Sequence, residues 1–144
     1  MHPNKNIKVF LVDDDAFNLT LTQQQLLNLG YANVAAFENG TDCLNNLAEK
    51  PEVVFLDHTM EGVTGFDVLK KIRRVNPDIF VVMLSAQENM NTAIDSLKYG
   101  AFDYIIKGPQ QGNKIENALE RITEIMVVLK KTKLPAWRRL LSFI

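Results

Sequence analysis

The chain has a single cysteine, Cys43, which excludes an internal disulfide framework and any multi-cysteine metal site. No apolar run approaches the ~18–20 residues that a bilayer-spanning helix needs. The opening residues 1–8 are polar and lack an apolar signal core, so a cytoplasmic protein is expected and membrane contact is not. Proline (5) and glycine (7) are too few for a low-complexity or collagen-like chain. Neither sign of charge dominates, with 16 basic and 17 acidic side chains. What remains is ordinary globular material: 144 residues, 47% hydrophobic and 23% charged, enough for about one domain with a real core.

The near-neutral total hides an asymmetry. Residues 1–106 carry 8 basic and 14 acidic groups, whereas residues 107–144 carry 8 basic and 3 acidic. An acidic body is a poor nucleic-acid binder, and no direct nucleic-acid partner is expected. The basic end suits the negative pole of a closing helix, or an acidic partner.

Short apolar runs alternate with helical patterns. Strands are predicted over 7–12, 33–37, 53–56, 79–84 and 102–106. Helices are predicted over 16–29, 41–49, 66–75, 91–99 and 113–131, with Gly30 and Gly100 as stop signals after the first and fourth. The strands are continuous apolar runs, which suits a parallel sheet covered on both faces. Strict β-α alternation therefore predicts an open doubly wound α/β domain, with its functional crevice at the carboxyl ends of the strands.

Those ends carry a sorted set of polar groups. Asp13, Asp14 and Asp15 follow the first strand, Asp57 the third, Ser85 the fourth and Lys107 the fifth. Each has an ordinary explanation when taken singly: Asp15 as a helix N-cap, Asp57 and Ser85 as turn or cap residues, Lys107 as a solvated charge. Delivered together to one edge, they read as one site. Two carboxylates ~4 Å apart cost about 4 kcal/mol at an effective dielectric near 20. Raised pKa values or a bound cation relieve that cost, and hard oxygen ligands suit Mg²⁺ or Mn²⁺. Such an ion would also neutralise an incoming phosphoryl group, with Lys107 and Ser85 supplying a charge and a donor. Asp57, alone at its strand end, is the candidate nucleophile, and the Asp13/Asp14 pair is better used on metal.

These stretches resemble the receiver domain of two-component response regulators. The resemblance rests on Val9 to Asp15, on Val53 to Met60, on Gly65 eight residues past Asp57, on Leu84-Ser85-Ala86 and on Tyr104 to Lys107, and it covers residues 7 to about 130. It implies a flavodoxin-like five-stranded parallel sheet in the order 2-1-3-4-5, with helices on both faces. It also implies a phospho-accepting switch, in which Asp57 takes a phosphoryl group from a histidine kinase or phosphotransfer protein. Carried over, Asp14, Asp57 and the Thr59 carbonyl would ligate Mg²⁺, and Asp13 would hold it through water. Lys107 would pair with phosphoryl oxygen. Ser85 and Tyr104 would switch the surface of the fourth helix, fifth strand and fifth helix toward a downstream target or fused output domain.

Two departures stand out. Glu61 follows Met60 where the family often has proline, which adds negative charge and is expected to loosen that loop. Gly108 separates Lys107 from Pro109, so the loop after the fifth strand is expected to differ. Thr59 and Gln87 occupy positions where the family tunes acyl-phosphate lifetime. His58 is expected in an exposed loop, and Cys43 is expected to be semi-buried and inert.

Ile115, Leu119, Ile122, Met126 and Leu129 form a heptad-like seam. Its first part reads as core, and its later part as a possible homodimer or interdomain surface. The receiver domain is assigned to residues 1–132. The tail 133–144, apolar and basic at once, is assigned as an extension or a linker to an output module. Two other functions compete with a phosphorylation switch. One is a degenerate, phosphorylation-independent receiver acting as a protein-binding module, against which the intact Asp14, Asp57, Ser85 and Lys107 set argues. The other is an aspartyl-phosphate phosphatase of the haloacid dehalogenase type, against which Phe17 and the short chain argue. Enzymatic activity, if present, is limited to accepting the phosphoryl group and hydrolysing the resulting aspartyl phosphate.

Overall fold

A computed structural model describes residues 3–86 and 88–132. Its elements run β1 (Val9–Val12), α1 (Ala16–Asn28), β2 (Val34–Phe37), α2 (Gly40–Asn45), β3 (Val53–Asp57), α3 (Gly65–Val75), β4 (Phe80–Ser85), α4 (Met90–Lys98), β5 (Asp103–Ile106) and α5 (Gln111–Thr132). The strands form one parallel sheet in the order β2-β1-β3-β4-β5. The tail 133–144 and Gln87 lie outside the described residues.

The continuous apolar strands are explained by burial on both faces. Side chains alternate across a strand, so Val9 and Leu11 face one layer while Phe10 and Val12 face the other. The first layer packs Leu19 and Leu26 of α1 and Ile115, Leu119 and Ile122 of α5 against Val53, Phe55, Val82 and Leu84. The second packs Cys43 of α2 and Val68, Leu69 and Ile72 of α3 against Val54, Leu56, Val81 and Met83. Cys43 is fully buried rather than semi-buried, and its desolvated thiol is pushed up to about 12.

Gly30 and Gly100 end their helices as expected. Each lies in the left-handed region, at φ 98° and 102°. Around each, the next residue's N–H reaches back to the carbonyl five residues earlier, Tyr31 to Leu26 and Ala101 to Ser96. The second helix departs from expectation. The single helix over 41–49 is divided at Asn46, with a 3₁₀ turn over Leu47–Glu49. The Asn46 side-chain amide donates to the Asp42 carbonyl at 2.7 Å, competing with the helical ladder, and Lys50 then turns left-handed before Pro51.

Strands also begin later than hydropathy suggests. Ile7 is buried, yet pairing in β1 starts at Val9. Met126, further along the seam, packs partly against the first layer, while Val128 is 57% exposed. Among the described residues no helix is long and apolar enough to cross a membrane.

Candidate functional site

Parallel pairing brings the carboxyl ends of β1, β3, β4 and β5 to one edge. Asp13 follows β1 directly, Asp57 and Ser85 close β3 and β4, and Lys107 follows β5. The Lys107 ammonium bridges two of the carboxylates. Its Nζ donates to Asp13 Oδ2 at 2.7 Å and to Asp57 Oδ1 at 3.2 Å, across 94 and 50 residues of chain. Asp13, Asp14 and Asp57 each offer a carboxylate oxygen within 4.8 Å of the others. Segments far apart in the sequence therefore share one pocket.

Asp13 and Asp57 are both 6% exposed, whereas Asp14 lies open to solvent. Asp13 is further held by its Oδ1, which accepts from the Asp15 N–H at 2.9 Å. Burial pushes the Asp57 carboxyl up to about 6. The neighbouring Lys107 charge opposes that rise, Asp13 adds to it, and a backbone hydrogen bond from Thr59 also opposes it. Burial alone would lower the Lys107 ammonium, but the hydrogen bond to Asp13 and the charges of Asp57 and Asp13 outweigh it and hold Lys107 above its ordinary range.

The remaining expected residues sit as follows. Asp15 is the N-cap of α1, accepting from the N–H groups of Phe17 and Asn18 at 2.9 and 3.2 Å. Thr59 is exposed in the loop after β3, with its N–H directed to Asp57. Ser85 is completely buried at the same sheet edge, and its carbonyl accepts from the Lys107 N–H at 2.8 Å. Tyr104 is half-buried on β5 opposite Met83 and packs against the second core layer. Gly65 explains its own identity: a Cβ there would lie 2.4 Å from the Asp57 carbonyl oxygen, so α3 can begin this close to β3 only without a side chain. The peptide bonds described around Gly108 and Pro109 are trans, and Gly108 accepts from the Gln111 N–H at 3.0 Å as α5 begins.

One expectation is corrected. His58 is not exposed. Its ring packs edge-on to Phe66 at 4.7 Å, both nitrogens are shielded and have no hydrogen-bond partner among the described residues, and burial lowers its pKa. The Glu61 backbone N–H donates to Asp14 Oδ2 at 3.1 Å and ties its loop to the acidic pocket. No sequence signal announces that contact, because it is made by the backbone; the one hint is that residue 61 is not proline and so has an N–H to give. Asp14, Asp15, Glu38, Asn39 and Glu61 line an open acidic hollow beside the pocket.

A doubly wound parallel sheet with three carboxylates and one ammonium at its carboxyl edge defines a class: an open α/β domain with a charged cluster where such sheets carry their sites. The comparisons make the class specific. The model of the response regulator receiver domain matches residues 9–120, and the chain belongs to that family. It is 36% identical to the transcriptional regulatory protein ZraR of Salmonella typhimurium over 116 residues, covering 80% of this chain and 26% of that protein. The chain thus spans about a quarter of the length of that regulator. It is 30% identical to the chemotaxis protein CheY of Thermotoga maritima over 118 residues, covering 81% of this chain and 98% of that one. The BeF3-activated DrrB receiver domain superposes with a TM-score of 0.74 at 28% identity, covering 83% of this chain and 98% of that one.

Proposed function

We propose that this receiver domain accepts a phosphoryl group on Asp57 from a phosphohistidine of a histidine kinase or phosphotransfer protein. The observation that carries the reading is the Lys107 ammonium held between Asp13 and Asp57, with Asp14 completing a triad of hard oxygen donors. An Asp57 oxygen attacks phosphorus, the new O–P bond forms as the donor's N–P bond breaks, and the departing imidazole takes up a proton. Lys107 turns from the Asp57 carboxylate to a phosphoryl oxygen and offsets the charge gained there.

The donor set fits Mg²⁺. All three side chains offer carboxylate oxygen, and Asp14 keeps one side open to the waters that this ion retains. Asp14, Asp57 and the Thr59 carbonyl would hold it, with Asp13 beside them, and when bound it would neutralise the carboxylates and the phosphoryl oxygens together. Ser85 donates to the phosphoryl group, and Tyr104, three residues before Lys107, couples that event to the surface of α4, β5 and α5. That surface offers apolar contact area, with Met90, Ile94 and Leu97 of α4 76%, 42% and 50% exposed. It serves a downstream protein or a fused output domain, as the regulator ZraR suggests by its length. The receiver spans residues 1–132, the tail 133–144 links or extends it, and the distal part of α5 around Val128 is available for a homodimer.

The test is incubation of the protein with acetyl phosphate and Mg²⁺, read by intact mass. An adduct of ~80 Da, about one phosphoryl group, is expected in the natural protein and not in Asp57→Ala or in EDTA. No adduct in the natural protein would overturn this reading in favour of a phosphorylation-independent binding module.

A further inference from the structure

We infer that the backbone N–H of Glu61 positions Asp14 for the divalent cation, so that the loop after β3 is part of the metal site's framework. The inference rests on the reading of Asp13, Asp14 and Asp57 as that site. The three carboxylates are not equally constrained. Asp13 is gripped by Lys107 and by the Asp15 N–H, and Asp57 by Lys107 and Thr59, both within buried surroundings. Asp14 is exposed and makes no salt bridge among the described residues. Its side chain is held by the Glu61 N–H at 3.1 Å, a contact that spans 47 residues of chain.

An exposed carboxylate without such a partner samples several rotamers and gives up that freedom when it binds an ion. A donor on Oδ2 removes this freedom on folding, and among the described residues no other donor competes for the Asp14 carboxylate. Because the acceptor is charged, the bond belongs to the stronger kind. Groups that orient metal ligands in this way typically contribute 10–100-fold to metal affinity. The contribution comes from the backbone, so every residue type except proline can supply it. The Glu61 side chain is a separate matter. It lines the same hollow as Asp14, Asp15 and Glu38, and its charge acts on a cation whether or not the N–H bond is made.

Two substitutions separate these effects. Glu61→Gln removes the charge and keeps the donor, and Glu61→Pro removes both. Mg²⁺ is titrated calorimetrically into the full chain at fixed pH and ionic strength. Glu61→Pro is expected to bind about tenfold more weakly than Glu61→Gln, with Glu61→Ala grouping with Gln. Equal affinities for the proline and glutamine variants would overturn this inference alone. Absence of Mg²⁺ binding to the natural protein would overturn the metal-site reading and this inference with it. The natural protein supplies a second readout, independent of whether the proline variant folds: the Glu61 amide ¹⁵N signal should move with the Mg²⁺ titration and share its midpoint. An amide signal that stays fixed while the ion binds would refute the coupling.

Discussion

Replacing Asp57 by asparagine should make the metal-free protein more stable at neutral pH, although it removes a partner of Lys107. The Asp57 carboxyl titrates at about 6 in the folded protein, against an ordinary 3.8, because burial and Asp13 outweigh Lys107 and the Thr59 N–H. Between those two values the folded chain holds a proton that the unfolded chain has released. Stability therefore falls as pH rises from about 4 to about 6, and levels off above. A difference of about two pKa units, at ~1.4 kcal/mol each, makes the loss about 3 kcal/mol. Asparagine carries no charge at any pH, so its variant lacks this component. Urea unfolding followed by far-ultraviolet circular dichroism in EDTA would measure it from pH 4 to 7.5. The two proteins should have similar stability at pH 4, and Asp57→Asn should lead by about 3 kcal/mol at pH 7.5. Mg²⁺ at 100 times its Kd should nearly cancel that lead, since it adds about 2.7 kcal/mol to the form that binds it. Parallel pH profiles would refute the reasoning. A profile in which only the natural protein gains stability with rising pH would mean that Lys107, not burial, sets the Asp57 charge.

Three further outcomes follow from the packing around the site. Gly65→Ala places a methyl group 2.4 Å from the Asp57 carbonyl and 2.8 Å from the His58 Cα, and should cost about 2–3 kcal/mol in urea melts. Asp15→Ala removes the α1 N-cap and should cost about 1 kcal/mol; an Mg²⁺ affinity lowered more than a few-fold would instead make Asp15 a ligand. Cys43, fully buried with its thiol pushed up to about 12, should resist iodoacetamide at pH 8 in the native protein and react readily in urea. Rapid native alkylation, read by mass, would contradict the burial.

Much of the architecture was legible because its signals are local or periodic. Gly30 and Gly100 stop helices through backbone conformation that needs no distant partner. The apolar strands announce a two-sided sheet because both alternating faces are covered. Boundaries were less legible: Ile7 is apolar because it is buried, but hydropathy reports burial and not ladder pairing. The break at Asn46 was missed because a side-chain hydrogen bond to the Asp42 carbonyl decided it, against a helical pattern that ran on to Glu49.

The site divides along the same line. Which residue types arrive at the strand ends, and hence that Asp13, Asp14, Asp57, Ser85 and Lys107 reach one edge, is a consequence of chain order and β-α alternation, and the sequence by itself determined it. Tertiary structure alone decided how they meet. It set Lys107 between Asp13 and Asp57, left Asp14 in solvent under the Glu61 N–H, raised the Asp57 carboxyl and turned His58 inward against Phe66. Distance, desolvation and backbone donors are properties of folded space, and residue identity along a chain does not encode them one position at a time.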